Sequence, residues 1–223
     1  MPPSGPADAS HAPASAARFR RVGLFGGTFN PVHEGHLAIA RDALALFALD
    51  EVWLLPASVP PLKPSTNLAP DADRLAMLRL ALAEAAEPRL RVCPIEYELP
   101  PPSYTYRTIL ALRKRHPDLD FAFVVGADSL LTLHLWYRIL DLLELVPVLP
   151  LARPGFAPAA ADIQLPPPWP DRLLASLRTA TLSPASSTDI RAALAATGTS
   201  PHLAPSVLAY IRAHQLYSSD PLR

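Results

Sequence analysis

The sequence predicts an α/β fold: a doubly wound parallel sheet with helices on both faces and a small C-terminal helical part. Three observations carry that prediction. Short apolar runs of strand character alternate with stretches of helical periodicity. The runs are apolar along their whole length, as strands covered on both faces are. A chain of 223 residues that is 50% hydrophobic is long enough for one good core and too short for a second full domain.

The elements follow in order. Arg21 to Gly26 (RVGLFG) reads as a buried strand, and Gly35 to Phe47 as a helix after a Gly and Pro turn. Strand Glu51 to Pro56, helix Asp71 to Ala86, strand Leu90 to Ile95, helix Thr105 to Arg115 and strand Phe121 to Gly126 continue the alternation. Pro56 to Pro70 and Ala157 to Pro170 are rich in proline, which lacks the amide donor, so both read as surface loops. The first follows a strand and can border a site; the second leads to the helical part at about 184–217. Residues 1–18, rich in Ala, Pro and Ser, read as a disordered tail without the apolar stretch of a secretory signal, and 19–223 as a single domain.

Composition narrows the partners. Lys plus Arg and Asp plus Glu both number 20, so no global field draws the chain to nucleic acid or an anionic membrane, and small molecules are the expected partners. The longest apolar region, Leu130 to Leu149, is interrupted by His134, Arg138, Asp141 and Glu144 and fails as a membrane span. Cys93 is the only cysteine, which excludes an internal disulfide and suits a reducing, cytoplasmic location.

In such folds ligands bind beyond the carboxyl ends of the strands, so the loops after Phe25 and Val125 are the first candidates. The loop after Phe25 carries the strongest signal, Gly26-Gly27-Thr28-Phe29-Asn30-Pro31-Val32-His33-Glu34-Gly35-His36-Leu37. Gly26 and Gly27 permit backbone geometry that side chains forbid and let a phosphate approach the amides closely, and the amides opening the next helix favour an anion at the same place. His33 and His36, three apart, fall on one side of the first helical turn, and Gly35 leaves room for a ligand. Two imidazoles with amides behind them suit stabilisation of charge on a phosphorus centre during in-line displacement.

Two further segments join it. Ser186-Ser187-Thr188-Asp189-Ile190-Arg191 opens an Ala-rich helix ending near Gly198; Ser186 and Asp189 fit a capping box, while the hydroxyls, free amides and Arg191 also fit a clamp for a triphosphate. Val124-Val125-Gly126-Ala127-Asp128-Ser129-Leu130 ends a strand. Asp128 there reads either as an acceptor for ribose hydroxyls or as a solvated cap, and Trp136 either as a platform for a flat ring or as core.

GGTFNPVHEGHL with SSTDIR downstream resembles the nicotinate-nucleotide adenylyltransferases of the HxGH nucleotidyltransferase superfamily. Val59-Pro60-Pro61-Leu62-Lys63, Ser103-Tyr104-Thr105, GADSL with Trp136, LARPG at 151–155 and VLAYIRAHQLY at 207–217 extend the match from about Arg21 to Tyr217. The resemblance implies a Rossmann-like fold. It also implies attack by the phosphate of nicotinate mononucleotide on the α-phosphorus of ATP, with release of pyrophosphate, Mg²⁺ accompanying ATP, and a place in NAD biosynthesis. By matching position it gives His33, His36 and Arg191 catalytic contacts. Gly26, Gly27, Thr28, Phe29, His36, Ser186, Ser187, Thr188 and Arg191 would line ATP. Asn30, Lys63, Tyr104, Thr105, Asp128 and Trp136 would lie around the mononucleotide, with Trp136 stacked on its ring. No protein metal-ligand set is implied.

Two positions depart from the family pattern. Asn30 stands where the family has Asp before the proline, keeping a turn-forming hydrogen bond without the charge. Leu62 stands where the family loop has His, leaving Lys63 as the polar group. Rival readings are a relative using nicotinamide mononucleotide or phosphopantetheine as acceptor, a cytidylyltransferase, and a non-catalytic nucleotide sensor. A nucleic-acid-binding role lacks a basic patch.

Overall fold

A computed structural model describes residues 19–62, 68–181, 183 and 185–218. The expected tail at 1–18 and Lys63 lie outside the described residues.

Six parallel strands form one sheet in the order β3-β2-β1-β4-β5-β6. They are β1 (Arg20–Gly27), β2 (Glu51–Pro56), β3 (Leu90–Val92), β4 (Leu119–Gly126), β5 (Val148–Ala152) and β6 (Arg178–Thr179). The helices are α1 (Glu34–Leu46), α2 (Asp71–Ala85), α3 (Thr105–Arg115), α4 (Ile139–Leu145), α5 (Trp169–Ser176), α6 (Ser187–Thr197) and α7 (Pro205–Ala213). The chain order reverses between the neighbours β1 and β4, and such a switch opens a crevice at the strands' carboxyl ends.

Because strand side chains alternate between faces, the sheet feeds two cores. Val52, Leu54, Ala122, Val124, Leu149 and Leu151 join α1, α2, α6 and α7 on one face. Val22, Leu24, Trp53, Leu55, Phe121, Phe123, Val125 and Val148 join α3, α4 and α5 on the other. The fully apolar strand runs in the sequence are the consequence.

The expected third strand is shorter than its apolar pattern. Pro94 follows Cys93, and the chain turns into a 3₁₀ segment at Ile95–Tyr97. The Cys93 amide still donates to the Leu54 carbonyl (2.9 Å), while burial pushes its half-buried thiol up from its ordinary pKa. The apolar stretch from Leu130 holds part of a 3₁₀ segment (Ala127–Leu135), then α4 and the start of β5. No helix among the described residues is long and apolar enough to cross a membrane.

Candidate active site

A cavity of about 650 Å³ opens where β1 and β4 diverge. Its floor is Phe25 to Thr28 and Phe123 to Gly126, its roof is Ala57 with Pro60 to Leu62, and its far wall combines Ser103, Tyr104, Thr105, Trp136 and Tyr137. The aromatic wall is ordered. Tyr104 and Tyr137 stack at 4.5 Å between centroids, and Trp136 meets Phe123 edge-on at 5.8 Å. Trp136 is therefore half-packed, with Phe123 behind it and the cavity in front.

The histidine motif lies beside this cavity, with Phe25 as the shared neighbour: the Phe25 and His36 rings are 6.3 Å apart. His33 precedes the first turn of α1, and its ring lies 3.8 Å from that of His36. The His33 amide donates to His36 Nδ1 (3.3 Å), fixing that imidazole. His33 is 7% exposed and its Nδ1 has no hydrogen-bond partner among the described residues. Burial lowers its pKa from 6.5 to about 4, so at neutral pH the ring is uncharged. Outside the motif, His202 holds α1 in place: its carbonyl accepts from the Glu34 amide (3.1 Å) and its Nδ1 lies 2.6 Å from the Glu34 carboxylate.

Several expectations change in detail. Gly35 does not leave room for a ligand; a Cβ there would sit 3.0 Å from Ser183 Oγ and 3.1 Å from the His33 ring, so the glycine makes room for the imidazole. Nor do Gly26 and Gly27 supply an unusual backbone angle. The residue in the left-handed region is Phe29 (φ 45°), and a Cβ on Gly27 would crowd its ring at 3.1 Å. Phe29 is wholly buried, 4.9 Å from the His36 ring, so its side chain packs behind the motif and is not open to a ligand.

Asn30 is 3% exposed and outside the cavity wall. Its Oδ1 accepts from the Ala69 amide (3.0 Å) and the Tyr217 hydroxyl (2.7 Å), so it joins chain segments behind the cavity. Asp128 is exposed beside the cavity, its carboxylate folded over Gly126, while Gly126 and Ser129 line the wall.

The second motif docks onto the first across more than 150 residues of chain. Ser187 Oγ donates to the Pro31 carbonyl (3.2 Å), and Arg191 donates to the Asn30 carbonyl (2.8 Å) and to Thr188 Oγ1 (3.3 Å). Ser186 caps α6 by accepting from the Asp189 amide (3.4 Å). Thr188 is exposed at the helix start.

Sequence reasoning passed over Arg74, Glu96, Tyr137 and Tyr217. Arg74, on α2, is fully buried and donates to the carbonyls of Thr28 (2.8 Å), Ala57 (2.6 Å), Ala69 (3.0 Å) and Ser58 (3.4 Å) and to the Asp71 carboxylate. One guanidinium thus ties the loop after β1 to the cavity roof. A single Arg in an amphipathic helix carries no sequence signal for such burial. Tyr137 did carry one, as the neighbour of Trp136.

Residues 24–193 match the cytidylyltransferase-like family. A Salinibacter ruber protein named "Probable nicotinate-nucleotide adenylyltransferase" is 39% identical over 199 residues, covering 88% of this chain and 97% of that protein. The chain belongs to the nicotinate-nucleotide adenylyltransferase family. A Bacillus cytotoxicus protein of the same name is 45% identical over 137 residues, 61% of this chain and 71% of that one. The fold is shared with a Plasmodium falciparum nicotinic acid mononucleotide adenylyltransferase solved with NaAD: TM-score 0.69 at 16% identity, over 89% of this chain and 97% of the other. Family membership makes the chain a nucleotidyltransferase on a Rossmann-like sheet.

Proposed function

We propose that the chain joins the adenylyl group of ATP to nicotinate mononucleotide, giving nicotinate adenine dinucleotide and pyrophosphate. The observation that supports it best is the arrangement around β1. An aromatic-walled cavity on one side and a rigid imidazole pair on the other share the loop at Gly26 to Phe29, so two nucleotides can meet across it.

The mononucleotide ring rests against Trp136 with Tyr104 and Thr105 at its edge, and its phosphate points along the glycine loop. ATP lies over His33, His36 and the start of α6. An oxygen of the mononucleotide phosphate attacks the α-phosphorus, the bond to the β-phosphate oxygen breaks, and pyrophosphate leaves. His36, aimed by the His33 amide, donates a hydrogen bond to the α-phosphate as charge builds. His33 is neutral when the site is empty, and an anion placed beside it restores its affinity for a proton. Ser187, Thr188 and Arg191 bind the triphosphate tail, Arg191 in an orientation preset by the Asn30 carbonyl. Mg²⁺ accompanying ATP would neutralise its phosphates. The aqueous, ATP-rich setting such chemistry needs is the cytoplasm.

Pyrophosphate release from ATP and Mg²⁺, with nicotinate mononucleotide, nicotinamide mononucleotide and phosphopantetheine compared, tests the proposal. Preference for the nicotinate form is expected. Preference for another acceptor overturns the substrate, and no release with any overturns the reaction in favour of a nucleotide sensor.

A further inference from the structure

Among the described residues that line the cavity, Glu96 is the only acid, and none is Lys, Arg or His. That is an unexpected wall for a ligand carrying a ring carboxylate, because recognition then rests on neutral donors held in fixed positions. Glu96 is 8% exposed and sits in the 3₁₀ segment after β3. The Thr108 hydroxyl reaches its Oε1 (2.9 Å) and contacts the Tyr104 carbonyl (3.3 Å). On the other side Glu96 interacts with the Ser103 hydroxyl. That hydroxyl accepts from the amides of Ser58 (3.0 Å) and Val59 (3.3 Å), and the Ser103 amide donates to the Val59 carbonyl (2.9 Å). Thr108 and Ser103 flank Tyr104-Thr105, and Ser58 and Val59 lead into the roof at Pro60 to Leu62.

We propose that Glu96 is a positioning residue for acceptor choice: by gripping Thr108 and Ser103 it fixes the Tyr104-Thr105 edge and, through Ser103, the proline-rich roof that closes on the mononucleotide ring. The inference rests on the acceptor reading above. Burial pushes the Glu96 carboxyl above its ordinary range, against the pull of the two hydroxyls that hold it.

Steady-state kinetics of the full chain with both mononucleotides test it. Glu96→Ala is expected to raise the KM for nicotinate mononucleotide about tenfold, the scale of one lost hydrogen bond to a charged or buried partner, and to narrow the preference over nicotinamide mononucleotide. The KM for ATP should stay within about twofold, well below the scale of any lost contact. Glu96→Gln, which keeps the volume and an acceptor for Thr108, should restore most of the mononucleotide KM. Thr108→Val, nearly isosteric, should reproduce the split where Glu96→Ala fails to fold. Equal changes in both KM values, or a fall in kcat and melting temperature alone, overturn the inference. An active wild type with an unmoved variant KM strikes this inference only; a wild type that does not turn over nicotinate mononucleotide strikes the functional reading, and this inference with it.

Discussion

The two flanks of β1 are built on opposite plans. On the side proposed for the phosphates, His33 is buried, His36 is pinned by a backbone amide, and Ser187 and Arg191 are bonded to the loop at Asn30 and Pro31. On the side proposed for the ring, Trp136 and Tyr104 are half-buried and Tyr137 is exposed, around an open cavity whose described wall holds no cation. The difference suits the proposed chemistry. Stabilising charge at phosphorus requires donors that do not have to reorganise, whereas a flat ring needs surface and an edge that can admit it.

The largest effect belongs to the preset side. Unfolded His33 takes a proton near 6.5 and the folded chain resists it until about 4, so between those values the unfolded state binds the extra proton. Stability from this residue is fully present above pH 6.5 and is lost as the pH falls towards 4, by roughly 3 kcal/mol for the whole window. Urea midpoints at pH 7.5 and 4.5 should therefore fall further for the wild type than for His33→Asn. An equal fall in both proteins would show that the buried ring is not the cause.

His36→Ala should lower turnover by about a hundredfold, the scale of one preorganised transition-state donor, while ATP still binds. Near-normal turnover in a folded variant would remove His36 from the reaction. On the open side, Trp136→Ala should weaken mononucleotide binding about tenfold, within the range for stacking on one ring, and leave ATP binding nearly unchanged. Equal weakening of both would erase the contrast between the flanks, and calorimetric titration of each nucleotide separates the cases.

The contrast also shows what a sequence can reveal. The first four strands and three helices are legible because whole apolar runs alternate with helical spacing, and GGTFNPVHEGHL is legible because its residue types agree on one chemistry. α4 and β5 are not, because from Leu130 onward apolar residues are nearly continuous and periodicity cannot divide a buried helix from a buried strand. Pro150 hides the strand further, because proline lacks the amide donor a ladder uses. β5 accommodates it because the two-residue β6 pairs only with Leu151 and Ala152, leaving one side of Pro150 without a neighbouring strand. Arg74 and Glu96 stayed hidden because a buried charge looks like a surface one until its partners, distant in sequence, are known.

Asn30 gives the smallest predicted effect and the sharpest test of which plan its position obeys. Two of its contacts need only an acceptor: Oδ1 takes hydrogen bonds from the Ala69 amide and the Tyr217 hydroxyl, and a carboxylate supplies the same lone pairs. A buried charge costs stability unless cations are near, and two are: Arg191 donates to the Asn30 carbonyl and Arg74 to the Ala69 carbonyl. Asn30→Asp should therefore keep the melting temperature within a few degrees and turnover within about threefold, under 1 kcal/mol in each. Tyr217→Phe, which deletes a donor, should cost about 1 kcal/mol. A gain of tenfold or more in turnover on Asn30→Asp would mean that position 30 acts on the phosphates through charge and belongs with the histidines, not with the joints that hold them.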